Sequence, residues 1–191
     1  MPKVIEITAP SYLKEEDSIS VFLAGGITNC PNWQKEVIKR IREEFRNRGY
    51  EDKENYLDLV IFNPRRENFP IDNPNAAYAQ IEWEFHHLED MDIFSMYFCS
   101  GESDQPICMY ELGRHLERMR YRFYNTYKDR IVVSAETDYR RRKDVEIQMR
   151  LALNADVLPR LSEDSTHKDF VSNHACRIMR AYEKLLQREV L

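Results

Sequence analysis

The sequence Ser18-Ile-Ser-Val-Phe-Leu-Ala-Gly25-Gly26 decides the fold, because an apolar run rich in β-forming residues leads there into a glycine turn. Asn32 then stands where it can cap a helix, and apolar residues recur after it at helical spacing. These residues are Val37, Ile38, Ile41 and Phe45. Arg48 and Gly49 end the periodic segment. The stretch 18–49 therefore predicts a strand, a glycine turn and a helix.

Strands and helices continue to alternate toward the C terminus. The pattern predicts strands at 57–62, 91–98 and 130–134, and helices at 76–90, around Glu111 and at 166–188. On helix 76–90 it predicts one buried stripe, formed by Ala77, Ile81, Phe85 and Leu88. The tail carries a basic run at 140–143 and an apolar patch at 151–161. This alternation implies an α/β protein with a doubly wound parallel sheet flanked by helices.

The domain organisation follows from the length of the chain. A chain of 191 residues fits a single domain that can bury a core without disulfides or metals. Residues 1–17 are predicted to form either an N-terminal arm or an added edge strand, since Val4-Ile-Glu-Ile alternates only weakly. Residues 18–191 are predicted to form the domain, which ends in a C-terminal helix.

The composition excludes several classes of function. The net charge of −5 provides no basic field that would attract a nucleic acid polymer. No run approaches the ~20 apolar residues of a membrane span, so we expect a cytoplasmic protein that does not bind membranes. The four cysteines are scattered, without the spacing of a zinc site or a disulfide framework. We therefore predict neither a metal nor a cofactor.

The topology of a parallel sheet indicates which candidate residues lie at the ligand-binding edge. Ligands bind beyond the carboxyl ends of the strands, and four segments follow strands in this sequence. These segments are Gly25-Gly26, 63–66, 103–105 and the helix start that carries Glu111. Asp92 instead opens its strand, so we predict a structural role for it at the opposite edge of the sheet.

Each candidate side chain can be given either a chemical role or a purely structural one. Glu111 could attack a sugar carbon as a nucleophile, or be a solvated acid in the first turn of a helix. Arg65 and Arg66 could bind a phosphate or lie in water. Trp33 and Tyr110 could stack on a base or pack in the protein. The glycine turn at Gly25 and Gly26 lacks the G-x-G-x-x-G and GK[ST] patterns of nucleotide-binding loops.

One ordered set of motifs resembles a known family. The set is Val21-Phe-Leu-Ala-Gly-Gly, Trp33, Asn63-Pro-Arg-Arg, Gln80-Ile-Glu-Trp-Glu, Met91-Asp-Ile and Tyr110-Glu-Leu-Gly. It is similar to that of the nucleoside 2-deoxyribosyltransferase-like proteins, from about Ser20 to about Ile147. Their superfamily also contains nucleoside 5'-monophosphate N-glycosidases. The resemblance implies a flavodoxin-like fold and a homodimer or higher homo-oligomer.

The resemblance also implies roles for individual residues. Glu111 would be the nucleophile that forms a glycosyl-enzyme intermediate, and Glu84 would be the acid that contacts the base, a position usually held by Asp. The loop that contacts the 5' end of the sugar corresponds to Ser103, Asp104 and Gln105. Phe22 stands where the family often has Tyr. The remaining candidate substrate-binding residues are Gly25, Gly26, Trp33, Asn63, Arg65, Arg66, Gln80 and Tyr110.

The sequence thus predicts cleavage of the N-glycosidic bond of a nucleoside or its 5'-monophosphate, with transfer of the sugar to another base or to water. Asp104 would favour free nucleosides, whereas Arg65 and Arg66 would favour phosphorylated ones. Two alternatives stay open. One is a non-catalytic nucleotide or nucleotide-sugar sensor, suggested by Phe22, and the other is a purely structural or interaction protein.

Overall fold

The computed structural model describes residues 1–12, 18–70, 72–154, 161–162 and 164–189. Residues 13–17 of the predicted N-terminal segment and residues 155–160 of the predicted apolar patch lie outside this description. The strands are β1 (Val4–Thr8), β2 (Ser18–Gly25), β3 (Asp58–Asn63), β4 (Ile93–Phe98) and β5 (Ile131–Ala135). The α-helices of the described residues are α1 (Trp33–Asn47), α2 (Ala76–Asp90), α3 (Pro106–Arg122), α4 (Arg142–Leu153) and α5 (His167–Glu189). Short 3₁₀ turns occur at Tyr50–Asp52 and Tyr127–Arg130.

The five strands form one parallel sheet in the order β1-β3-β2-β4-β5. Helices α2, α3 and α4 pack on one face of this sheet, and α1 and α5 pack on the other. The predicted α/β class, with a doubly wound, flavodoxin-like parallel sheet, is therefore confirmed. The weak alternation at the N terminus is an edge strand, in which Val4 aligns with Leu59 of β3.

The amino ends of β2 and β4 are joined by Asp92. Its Oδ2 accepts hydrogen bonds from the Ser20 backbone N at 2.9 Å and from Ser20 Oγ at 2.8 Å. The predicted structural role of Asp92, away from the carboxyl edge, is confirmed.

The predicted buried stripe of α2 is wrong for Ala77, Ile81 and Phe85, which are exposed, and correct for Leu88; the bounds of this helix are also correct. Ile81 and Phe85 are 65% and 45% exposed, and the fully buried residue of the helix is Trp83. The Trp83 ring packs near Phe22 and Phe62, with ring centroids 6.0 and 6.3 Å away. The buried face of the helix carries Trp83, His87 and Leu88 instead, because the large indole ring packs between side chains of β2 and β3.

The tail is more regular than predicted, because residues 142–153 form α4. Its buried side chains are Val145, Met149 and Leu153, which recur every four residues and cover β5. The charged residues between them hide this period from the sequence.

Candidate active site

A cavity of about 230 Å³ opens at the carboxyl ends of β2 and β4. The chain leaves β2 toward β3 on one side of the sheet and later places β4 on its other side. Such a switch point is where open parallel sheets bind ligands. Its lining includes Phe22, Gly26, Glu84, Gln105, Cys108 and Glu111. We call it the carboxylate cavity.

Glu111 lies in the second turn of α3, because the helix begins at Pro106. The position differs from the first-turn site that the sequence suggested. The pKa of Glu111 is raised to about 7, mainly by burial and also by the charge of Glu84, while the charge of Arg114 opposes this shift. Glu111 is therefore not held ionised by a helix terminus. It is poised between its two protonation states near neutral pH.

Glu84 reaches the same cavity from α2 and is held by a neighbour on its own helix. Gln80 Nε2 donates to Glu84 Oε1 at 2.8 Å and to the Pro64 carbonyl O at 2.8 Å. Burial raises the pKa of Glu84, and the Gln80 hydrogen bond lowers it in part. The Gln80 amide thus orients the carboxylate and links α2 to the end of β3.

Two carboxyl groups in one partly apolar cavity cannot both ionise without cost. Glu84 contributes to the raised pKa of Glu111, so the pair favours one ionised and one protonated group near neutral pH. This combination supplies an anionic oxygen and a proton donor in one site.

The glycine turn lines the carboxylate cavity and is supported from behind by Trp33. A Cβ on Gly26 would lie 2.4 Å from Cys30 Sγ, so the turn has no room for a side chain there. Trp33 is fully buried, and its Nε1 donates to the Gly26 carbonyl O at 2.9 Å. The Trp33 ring stacks on Tyr97 with centroids 4.8 Å apart. The structure thus places Trp33 in the core, without an exposed face for a base.

The basic candidates lie beside a second cavity rather than in the first. Asn63, Arg65 and Arg66 line a space of about 740 Å³ at the carboxyl ends of β1 and β3. Arg65 Nη2 donates to the carbonyl O of Ile27 at 2.9 Å and of Cys30 at 3.2 Å. Arg65 therefore supports the 26–30 loop, which separates the two cavities.

The residues of the predicted sugar loop also fall into two groups, one that lines the carboxylate cavity and one that does not. Ser103 and Gln105 line the carboxylate cavity, but Asp104 is exposed and pairs with Arg140 at 3.4 Å. Gln105 adopts a left-handed backbone with φ 48° and donates through Nε2 to the Cys99 carbonyl O at 2.8 Å. Tyr110 is 65% exposed on α3 and lies outside the cavity lining that the structure describes.

Sequence reasoning assigned no role to seven residues that line the cavity: Ala24, Ile27, Thr28, Pro64, Pro106, Ile107 and Cys108. Cys108 stands one helical turn before Glu111, so helical spacing alone could have identified it. Burial raises the pKa of Cys108 to about 12, and the charge of Glu111 adds to this shift. The side chain is therefore a neutral thiol that forms part of the wall.

The described ranges carry neither a metal-binding cluster nor a membrane-spanning helix. No group of three or more His, Cys, Asp or Glu residues there could hold a metal ion. None of the described helices combines the length and apolarity needed to cross a bilayer.

The fold and the cavity together define an α/β protein with a carboxylate-lined site at the switch point of a parallel sheet. The family model described as "nucleoside 2-deoxyribosyltransferase like" matches residues 18–139, which is well over half of the 191 residues. The chain belongs to this family, so the resemblance noted in the sequence is confirmed. Comparison with curated proteins gave no match. Both cavity glutamates lie inside the matched range, and their individual roles stay predictions.

Proposed function

We propose that this protein cleaves the N-glycosidic bond of a nucleoside and transfers the sugar to another base or to water. The observation that carries this proposal is that Glu111 and Glu84 line one cavity, with the pKa of each raised by burial. Membership of the nucleoside 2-deoxyribosyltransferase-like family supports this class of reaction.

The two glutamates hold one proton between them near neutral pH, and the charge of Glu84 raises the pKa of Glu111, so the proposed mechanism first moves this proton from Glu111 to Glu84. Ionised Glu111 attacks the anomeric carbon, and the bond between that carbon and the base nitrogen breaks. The electron pair leaves with the base, to which protonated Glu84 gives its proton. A second base or a water molecule then attacks the glycosyl ester and regenerates the Glu111 carboxylate. Glu84 recovers its proton from the incoming group. No cofactor enters this scheme.

We propose an unphosphorylated nucleoside as the preferred substrate. Among the described residues, the ionisable side chains with negative charge in the cavity are Glu84 and Glu111, and no Lys or Arg lines it. Arg65 instead donates to the 26–30 loop, and Asp104 pairs with Arg140. A 5'-phosphate would therefore meet negative charge without a compensating cation.

A non-catalytic nucleoside or nucleotide sensor is the second candidate. Phe22 lines the cavity and brings no hydroxyl that could position Glu111. A sensor would bind a ligand and leave it chemically intact. A ligand that raises the melting temperature but survives long incubation would favour this alternative.

The test of the proposed function is chromatography for free base. Wild-type protein is incubated with nucleosides, deoxynucleosides and their 5'-monophosphates, with and without a second base. We expect base release from at least one unphosphorylated substrate, at least about tenfold faster than from its monophosphate, because the cavity is anionic. A new nucleoside that forms only with the acceptor would identify a transferase. Intact substrates across the panel would contradict the proposal.

We further propose that the chain forms a homodimer or a higher homo-oligomer through α2 and α3. Exposed apolar side chains cluster on these two helices: Tyr78, Ile81 and Phe85 on α2, and Ile107 and Tyr110 on α3. The helices are neighbours, since the Arg114 guanidinium lies 4.6 Å from the Phe85 ring centroid. Exposed large apolar side chains on two neighbouring helices are typical of an interaction site. Ile107 also lines the carboxylate cavity, so a second copy would border its mouth.

Ile81→Glu should dissociate the oligomer, because it places a charge within the proposed apolar contact. Sedimentation velocity at micromolar concentration should give an oligomer for wild type and a monomer for this variant. Leu151→Glu is the matched control, since Leu151 is 73% exposed on α4, away from the contact. A monomeric wild type, or dissociation by the Leu151 variant alone, would count against this interface.

A further inference from the structure

The 740 Å³ space beside Arg65 and Arg66 is a separate cavity with an excess of positive charge, and we call it the basic cavity. The positively charged side chains that line it are Lys35, Lys39, Arg42, Arg65 and Arg66. The acids in its lining are Glu6 and Glu67. The cavity therefore carries a net positive charge, in contrast to the carboxylate cavity across the 26–30 loop.

The two acids are already paired with part of this charge. Glu6 Oε2 lies 3.3 Å from Arg42 Nη2, and Glu6 Oε1 accepts from Asn63 Nδ2 at 2.9 Å. Glu67 lies 3.8 Å from Lys35 at a very exposed position. These pairs leave the other three cations of the lining without a carboxylate from the cavity itself.

Of these cations, Arg65 and Arg66 have the fewest nearby carboxylates to neutralise their charge. In the part of the chain that the structure describes, neither guanidinium has a carboxylate within 4.0 Å, whereas Lys39 reaches Glu43 at that distance. Arg65 is half-buried against neutral carbonyl oxygens, and its Nε is buried without a hydrogen-bond partner among the described residues. The Arg66 guanidinium lies 5.6 Å from the Phe69 ring centroid and makes no side-chain hydrogen bond to another described residue. A partly desolvated guanidinium of this kind favours an anionic partner.

The backbone of α1 also favours an anion in the basic cavity. Helix α1 begins at the wall of the cavity, where Asn32 caps it by accepting from the Lys35 backbone N at 3.2 Å. The positive end of the helix dipole therefore adds to the field of the Lys and Arg side chains. The volume exceeds that of a single ion and suits a small phosphorylated molecule.

We propose that the basic cavity is a second ligand site, separate from the carboxylate cavity, and that it binds a small molecule carrying a phosphate or pyrophosphate group. Arg66 and Arg65 bind the phosphate oxygens with two or more charge-assisted hydrogen bonds, and Lys39 adds its charge at the rim. The 26–30 loop, held by Arg65, keeps this ligand apart from Glu84 and Glu111. The inference does not depend on catalysis in the first cavity.

Isothermal titration calorimetry with pyrophosphate and with ribose 5-phosphate tests this proposal, because neither probe has an N-glycosidic bond. We expect saturable binding of one probe molecule per chain to wild type, weakening as salt is added. Arg66→Ala should weaken this binding at least about tenfold, because it removes a bidentate guanidinium. Lys39→Ala should weaken probe binding less, because it removes only a point charge at the rim of the cavity.

Two control variants make the experiment decisive. Arg46→Ala removes an exposed cation of α1 that lies outside the basic cavity, so it should bind the probes as wild type does. Glu111→Gln should also bind them like wild type, because it alters the other cavity. Absence of saturable binding, or equal affinity in Arg66→Ala and wild type, would overturn the proposal. A changed affinity in Glu111→Gln would overturn it too, since the probe would then lie in the carboxylate cavity, where the loss of a negative charge should tighten anion binding.

Discussion

Glu111→Gln should reduce base release by a factor of about a thousand or more, because the amide keeps the shape of the side chain and removes the nucleophile. Without an anionic oxygen at Glu111 no glycosyl ester forms, and Glu84 alone can only assist departure of the base. The measurement is the rate of free base release under the conditions that give turnover with wild type.

The same substitution should stabilise the fold above pH 7. The pKa of Glu111 is raised by burial to about 7, from an ordinary value of 4.5. The folded state therefore binds this proton more tightly than the unfolded state does. The resulting destabilisation is absent below about pH 4.5, grows as pH rises toward 7 and is complete above it. At pH 8 we expect the variant to exceed wild type by about 3 kcal/mol in the free energy of unfolding, since each pH unit of the pKa shift is worth about 1.4 kcal/mol.

A matched control variant separates the effects of removing the Glu111 carboxylate from those of removing any negative charge on α3. Glu117 lies on the same helix with a side chain that is 74% exposed, so Glu117→Gln should change neither base release nor stability appreciably. An inactive and destabilised Glu111→Gln would assign the carboxylate to folding instead of catalysis. A fully active variant would exclude it as the nucleophile.

Gly25→Ala should destabilise the protein by about 2 to 4 kcal/mol, the largest effect on folding that we expect from one methyl group. A Cβ at Gly25 would lie 2.3 Å from the Tyr97 carbonyl O and 2.7 Å from Trp33 Cζ2. The first of these atoms belongs to the neighbouring strand β4, and the second belongs to a ring packed in the core. The backbone at Gly25 also has φ +150°, which side-chain-bearing residues rarely adopt. Urea-induced unfolding measures the loss.

Gly113→Ala is the control for this prediction. Outside the local backbone of the helix, no atom of the described residues lies within 4 Å of a Cβ built on Gly113, which is in the interior of α3. Alanine should therefore stabilise that helix by about 0.5 to 1 kcal/mol. Equal effects of the two substitutions would show that close packing at Gly25 does not govern stability.

The order of strands and helices in the central part of the chain could be predicted because each element carries its own periodic pattern. Residues 18–49 illustrate this: β2 ends at Gly25, and Asn32 caps α1 as its position suggested. The rotation of α2 could not be predicted in this way. Both the aliphatic stripe and the Trp83 face have helical spacing, and only packing against Phe22 and Phe62 selects between them.

The residues of the candidate site also differ in how far the sequence alone could locate them. The sequence by itself determined that Glu111 and the glycine turn meet at one edge of the sheet, because the carboxyl ends of parallel strands share that edge. The family resemblance already pointed to Glu84 as well, whereas the tertiary structure was needed to show that Trp33 is core and that Arg65 and Arg66 face another cavity. The physical reason is that strand order follows from local patterns and chain connectivity. Side-chain direction and pKa instead depend on burial against residues that are distant in sequence.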